Sequence, residues 1–131
     1  MGALFSSADL TSDTTGKSCA DPVRVMIVDD SLTVRTVFSR MIKQERDMSI
    51  LATANSAESG LAELAKAAPD VMLLDLEMPG MGGLEALPRI MQATPQTKVL
   101  VISSLTADGA EATVKALSLG AADTMLKPRP G

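Results

Sequence analysis

The sequence has no histidine, tryptophan or tyrosine, one cysteine and two phenylalanines. Lack of histidine rules out imidazole acid–base chemistry, a serine-hydrolase triad and the usual His-rich metal sites. No Gly-x-Ser-x-Gly nucleophile elbow is present either. The single Cys19 cannot form an intrachain disulfide; a lone surface thiol in a reducing cytoplasm is the natural reading. No apolar run approaches the roughly 20 residues that a membrane helix needs. The N-terminus also lacks a basic stretch followed by an apolar segment and cleavage site. These features predict a soluble cytoplasmic chain. Basic residues number 12 against 16 acidic ones, with a pI near 4.7, so there is no electrostatic footprint for nucleic acid or an anionic membrane. Chemistry must come from carboxylates, hydroxyls and lysine.

With 131 residues, 46% of them hydrophobic, the chain can bury one core and has no room for a second folded domain. Residues 1–21 are rich in Ser, Thr, Asp, Gly and Ala and lack a sustained period, which predicts a disordered leader or a cloning remnant. From residue 22 onward, short β-branched runs alternate with amphipathic helical segments. The predicted strands are 24–29, 49–54, 70–75, 97–103 and 121–126. Helical spacing links Val34, Val37, Phe38, Met41 and Ile42; then Leu61, Leu64 and Ala65; then Leu84, Leu87, Ile90 and Met91; and lastly Ala110, Val114 and Leu117. Five strands alternating with four helices, and runs such as Val71-Met72-Leu73-Leu74 that are apolar on both faces, predict an α/β doubly wound parallel sheet. Its ligand belongs at the carboxyl ends of strands, where the strand order reverses. Pro88, inside the third helical pattern, predicts a kink or a late helix start. The nine methionines read as adaptable core filler.

The polar residues that could do chemistry fall at predicted strand ends: Asp29-Asp30 after the first, Asp75 at the third, Ser103 at the fourth and Lys127 after the fifth. Three carboxylates converging in a partly buried cleft raise one another's pKa unless a cation compensates them. All-oxygen ligation without His or clustered Cys favours Mg²⁺ or Mn²⁺ over zinc. An aspartate beside such a cation can act as a nucleophile toward phosphorus, and Asp75 follows a buried apolar run that fixes its backbone. The glycines of Glu77-Met78-Pro79-Gly80-Met81-Gly82-Gly83 would let the main chain approach a phosphate or metal. Lys127 can pair with phosphoryl oxygens and Ser103 can donate to them. Taken singly, each residue has a plainer use: Asp30 or Ser31, and Ser103 or Ser104, as helix caps, and Lys127 as a solvated strand end. Four independent strand ends carrying complementary chemistry argue for a site.

Val28-Asp29-Asp30-Ser31, Leu74-Asp75-Leu76-Glu77-Met78-Pro79-Gly80-Met81-Gly82-Gly83, Ser103-Ser104 and Lys127-Pro128 resemble the receiver domains of response regulators over about residues 23–128. The run Ser103-Ser104-Leu105-Thr106, with Gly109-Ala110, Ala116-Leu117 and Gly120-Ala121, is similar to the receiver of the chemotaxis protein-glutamate methylesterase. The resemblance implies a flavodoxin-like fold with strand order 2-1-3-4-5. It also implies phosphorylation of Asp75 by a histidine kinase of chemotaxis type. Mg²⁺ would be held by Asp30, Asp75 and the Glu77 backbone carbonyl, with Asp29 holding it through water. Ser103 would turn toward the phosphoryl group and Lys127 would pair with it, while the surface of the fourth helix and fifth strand responds.

Two departures from the pattern stand out. Thr124 occupies the place of a usual aromatic three residues before the lysine, so readout would pass through Ser103, Ser104 and their loop. The chain also stops at Gly131, where the family continues into a fifth helix and, in the methylesterase, an output domain in cis. A sheet face without its second helix would expose apolar surface and invite homodimers. Three competing readings are a small Mg²⁺-dependent phosphatase with an aspartyl nucleophile, a flavin-binding electron carrier and a degenerate receiver serving only as an interaction module. The phosphatase would place an Asp where Glu77 stands. The flavin carrier would need a phosphate-cradling first loop, which Asp29-Asp30 would repel. The intact polar set argues against a degenerate receiver.

Overall fold

The computed structural model describes residues 21–128. Cys19 and the predicted leader lie outside this range. The elements alternate as β1 (Val23–Val28), α1 (Leu32–Lys43), β2 (Met48–Ala54), α2 (Ala57–Leu64), β3 (Val71–Asp75), α3 (Gly83–Ala93), β4 (Lys98–Ser103), α4 (Ala107–Ser118) and β5 (Asp123–Leu126). All strand pairs are parallel, in the order β2-β1-β3-β4-β5. This is the flavodoxin-like doubly wound sheet, and the strand bounds differ from the predicted ones by up to two residues.

Alternation along the strands sorts the core into two layers. On one face Met26, Val28, Met72, Leu74, Val99 and Val101 pack with Ala57 of α2, Ala86, Leu87 and Ile90 of α3 and Ala116 of α4. On the other, Val25, Ile27, Leu73 and Ile102 form one cluster with Val34, Phe38 and Ile42, which recur every four residues along α1. β1 and β3 are apolar on both faces because helices cover both. Met26 and Met72 are fully buried and Met78 nearly so, as core filler should be, whereas Met41 is exposed.

Helix starts follow local polar chemistry. Ser31, Ser56 and Thr106 accept the backbone N–H of Val34, Ser59 and Gly109 and so cap α1, α2 and α4. Ser31 is therefore the cap of α1, while Thr106, rather than Ser103 or Ser104, caps α4. Pro88 neither delays nor ends α3, which begins at Gly83 and continues through it. Pro88 lies on the exposed side of the helix, where water can serve the carbonyl that its ring leaves without an N–H, while Ala86, Leu87 and Ile90 anchor the inner side.

The expected bare sheet face beside α1 is also corrected. Leu73 and Ile102 are buried there, in one cluster with Phe38 of α1, and Leu100 and Met125 are half-buried. Apolar exposure lies instead on Leu105, Val114, Leu117 and Leu126, around α4 and β5, and on Leu32 and Met41 of α1.

Two glycines shape the loop after β3. Gly80 has a positive φ of 75°, a conformation in which a side chain is strained. A Cβ on Gly83 would lie 2.4 Å from the Asp75 carbonyl oxygen and 2.8 Å from the Leu76 Cα. Gly83 thus seats α3 against the backbone of Asp75. Gly83→Ala should therefore destabilise the fold by about 1–3 kcal/mol through overpacking. Urea unfolding followed by far-ultraviolet circular dichroism measures this; a midpoint equal to wild type would refute the seating role.

Candidate acidic site at the strand carboxyl ends

β1 and β3 are neighbours, and from them the chain winds in opposite directions, so their carboxyl ends open the crevice at the reversal of strand order. Asp29 follows β1 and Asp75 closes β3. Carboxylate oxygens of Asp29, Asp30 and Asp75 all lie within 4.8 Å of one another. Asp29 and Asp75 are fully buried and Asp30 is exposed.

Short backbone bonds hold these acids. Asp29 Oδ1 accepts the Ser31 N–H at 2.8 Å, and Asp75 Oδ1 accepts the Glu77 N–H at 2.9 Å. The Asp29 N–H donates to the Ala54 carbonyl at 3.0 Å. Lys127 reaches in from the end of β5, its Nζ 3.3 Å from Asp75 Oδ1 and 4.0 Å from Glu77 Oε1. Its own N–H is tied to the Ser103 carbonyl at 2.9 Å. The second oxygens, Asp29 Oδ2 and Asp75 Oδ2, are buried and have no hydrogen-bond partner among the described residues. Two orphaned carboxylate oxygens in a set of three acids suit a hard cation with oxygen ligands.

Burial, above all, raises the Asp75 pKa from 3.8 to about 7; Asp29 adds to the rise, while the Glu77 N–H and Lys127 oppose it. Burial likewise raises Asp29, against the Ser31 N–H and Lys127. For Lys127, burial works against the ammonium, but Asp75, Asp29 and Glu77 outweigh it and raise its pKa.

Residues 25–130 match the response regulator receiver domain family. The chain belongs to this family. The receiver is 41% identical over 108 residues, 82% of this chain, to a protein-glutamate methylesterase/protein-glutamine glutaminase of Maricaulis maris, and covers 27% of that relative. It is 48% identical over 105 residues, 80% of this chain, to such a protein of Oleidesulfovibrio alaskensis, covering 28% of it. The receiver thus spans less than a third of the curated relatives it matches. Among solved structures, the response regulator domain of Thermotoga maritima CheB superposes with a TM-score of 0.75 at 38% identity, covering 82% of this chain and 80% of that one. The Borrelia burgdorferi CheX-CheY-BeF3-Mg²⁺ complex gives 0.74 at 27% identity, covering 84% and 81%. This is the receiver domain of a CheB-type response regulator, and no helix among its described residues is long and apolar enough to cross a membrane.

Of the residues singled out from sequence, the fold brings Asp29, Asp30, Asp75 and Lys127 together. Ser103 stands apart from them in its bonding. Its Oγ lies 2.8 Å from Thr113 Oγ1, and Thr113 donates to the Gly109 carbonyl at 2.8 Å. The Thr113 hydrogen is thereby spent, so Ser103 donates to Thr113 and its side chain is engaged with α4. Thr124, half-buried in β5, makes no side-chain hydrogen bond among the described residues.

Sequence reasoning missed three participants. Glu77 matters through its side chain as well as its carbonyl: Oε2 accepts from the Ser104 N–H at 3.0 Å and Oγ at 2.6 Å. These two bonds, with help from Lys127, lower the Glu77 pKa. Thr113 is the partner of Ser103. Arg35 Nη1 donates to the Asp29 carbonyl at 2.6 Å and braces the β1–α1 loop. No sequence spacing announces the first two, since one joins two loops and the other joins β4 to α4; Arg35, six residues after Asp29, carries only the weak signal of a cation on the first turns of α1.

A raised carboxyl pKa makes the folded receiver hold more protons than the unfolded chain between pH values of about 4 and 7. Stability contributed this way is present at the acid end and lost as pH rises through about 7. In chelator, the melting temperature should fall from about pH 5 to about pH 8. Mg²⁺ should restore it most strongly at the alkaline end, because proton and cation compete for the same carboxylates. Asp75→Asn should flatten the chelator profile. Calorimetry at fixed ionic strength decides the matter, and a chelator profile that rises across this interval would contradict the assignment.

Proposed function

We propose that this receiver accepts a phosphoryl group on Asp75 from the phosphohistidine of a chemotaxis-type histidine kinase, and so controls an output domain in cis of the methylesterase kind. The observation that carries the reading is the pair of buried, unpartnered oxygens on Asp29 and Asp75 beside Lys127. Mg²⁺, or Mn²⁺, would be held by the carboxylates of Asp29, Asp30 and Asp75 and the backbone carbonyl of Glu77. When bound, it neutralises charge on the carboxylates and on the transferring group. The Borrelia complex, whose description includes BeF3 and Mg²⁺, supports both elements.

The residues of the chain supply the rest. Backbone bonds at Asp29 and Asp75 fix the acids, which lowers the entropic cost of reaching a reactive geometry. An Asp75 oxygen attacks phosphorus as the bond to the histidine nitrogen breaks, and the new group keeps its charge near the Lys127 ammonium. Ser103 then exchanges Thr113 for a phosphoryl oxygen. That exchange releases a hydroxyl contact between β4 and α4, next to the exposed Leu105, Val114, Leu117 and Leu126, which form the surface that reports the change. Catalysis by a downstream esterase would need groups absent from this stretch, since it holds no histidine.

The aspartyl phosphatase reading fits less well. Its general acid would stand at Glu77, but that carboxylate is committed to Ser104 and its pKa is lowered, so it holds no proton to give near neutrality. Its alternative can be separated directly. Incubation with Mg²⁺ and a small-molecule phosphodonor should yield one phosphoryl adduct by intact mass, retained over minutes, absent from Asp75→Asn and abolished by chelator. Rapid multiple turnover of a generic phosphate ester, or an adduct that survives Asp75→Asn, would overturn the reading.

A further inference from the structure

Ser103 has one hydrogen to give, and in the structure it goes to Thr113 at 2.8 Å, across the gap between β4 and α4. Thr113 can only accept it, because its own hydrogen is spent on the Gly109 carbonyl one turn back, also at 2.8 Å. That back-bond fixes the Thr113 side chain on its own helix, so the acceptor stands in place whether or not Ser103 uses it. The main chain on the Ser103 side is equally fixed. Ser103 pairs with Leu126 of β5, its carbonyl accepts the Lys127 N–H at 2.9 Å, and a Cβ on Gly109 would lie 2.5 Å from the Ser104 carbonyl oxygen. Only rotation of the Ser103 side chain is left to vary. Nor is the hydroxyl pair needed to dock α4. Thr106 caps the helix, the fully buried Ala116 seats it on the core, and Gly109 brings its first turn against Ser104.

We infer that Thr113 is a positioning residue whose hydroxyl oxygen holds Ser103 in a waiting position and so sets how tightly the acidic site retains a phosphoryl-like group. The inference rests on the phosphoacceptor reading above and concerns its regulation. The Ser103 hydrogen serves one acceptor at a time, so Thr113 and an oxygen of the incoming group compete for it. The competition is one-sided. Ser103 is buried, at 4% exposure, where an unmade hydrogen bond is costly, whereas Thr113 keeps its bond to Gly109 after Ser103 leaves. Without the Thr113 oxygen, the unoccupied site would hold Ser103 unpaired while the occupied site would lose nothing. Occupancy therefore gains by the worth of the lost bond. A purely structural bond predicts the reverse, since its loss weakens the rim that binds the group. Val114, the next residue on α4, is exposed, which puts this threshold contact beside the surface that reports the change.

The test is equilibrium binding of beryllofluoride with Mg²⁺, the combination named for the Borrelia complex, followed by amide shifts in ¹⁵N-detected spectra of the chain and its variants. Thr113→Val keeps the shape and removes the acceptor, so it should bind about fivefold more tightly than the wild type, the factor that one net hydrogen bond supplies. Thr113→Ala removes the same oxygen and should share the gain, which keeps the test decisive if the valine variant misfolds. Thr113→Ser keeps the oxygen and should match the wild type. In a Ser103→Ala background, Thr113→Val should have no effect, because the competition runs through the Ser103 hydrogen. Far-ultraviolet circular dichroism equal to wild type separates these results from a folding defect. Equal or weaker binding by both Thr113→Val and Thr113→Ala, a gain as large in Thr113→Ser, or a gain that persists in the Ser103→Ala background would overturn the inference and leave the phosphoacceptor reading standing. A wild-type chain that binds Mg²⁺ but no beryllofluoride would overturn that reading, and this inference with it.

Discussion

Repulsion among carboxylates that cannot move apart governs this domain. Oxygens of Asp29, Asp30 and Asp75 lie within 4.8 Å of one another, a spacing at which two unit charges repel by about 3.5 kcal/mol at an effective dielectric constant of about 20. An exposed trio would turn into water. Asp29 and Asp75 are instead buried, and each has one oxygen spent on a backbone N–H two residues on. The charge is relieved by a proton, by Lys127 or by a cation; burial above all, with Asp29 adding to it, raises the pKa of Asp75 against the opposing Glu77 N–H and Lys127.

The scaffold explains why the strain persists. β1 and β3 are clamped between two apolar layers, and Gly83 leaves no slack between α3 and the Asp75 backbone. Bonds from the Leu76 N–H to the Ile102 carbonyl and from the Lys127 N–H to the Ser103 carbonyl tie the neighbouring strand ends into the same rim. Any change of charge at Asp75 must therefore be absorbed by side chains and loops. The side chains able to do so are arranged as two competing sets. Ser103 is held by Thr113, and Ser104 by the Glu77 carboxylate, which also lies 4.0 Å from Lys127. In the function proposed above, new negative charge at Asp75 would draw on Lys127 and Ser103 together and loosen both contacts to α4 and its preceding loop. In that proposal the coupling would run through hydroxyls rather than through an aromatic at Thr124.

Much of the architecture could be read from residue order. Short β-branched apolar runs marked the strands and helically spaced apolar residues marked the helices, since burial on a sheet or on one helix face imposes those patterns whatever surrounds them. The late helix start that Pro88 suggested does not occur, since Ala86, Leu87 and Ile90 anchor α3 through it, and the sheet face beside α1 buries Leu73 and Ile102 rather than exposing them. Asp29, Asp30, Asp75 and Lys127 were legible because topology sends all parallel strand ends to one rim.

What the sequence by itself determined, then, is which chemical groups stand at the ends of which strands, and hence that acids and a lysine share one crevice. Only the tertiary structure decided how they are engaged: which carboxylate oxygens lack a partner, that Ser103 is turned to Thr113, that Glu77 holds Ser104, and that Arg35 braces Asp29. The reason is physical. Strand membership follows from local periodicity, whereas a hydrogen bond between loops 27 residues apart depends on ångström-scale placement that packing of the whole core sets.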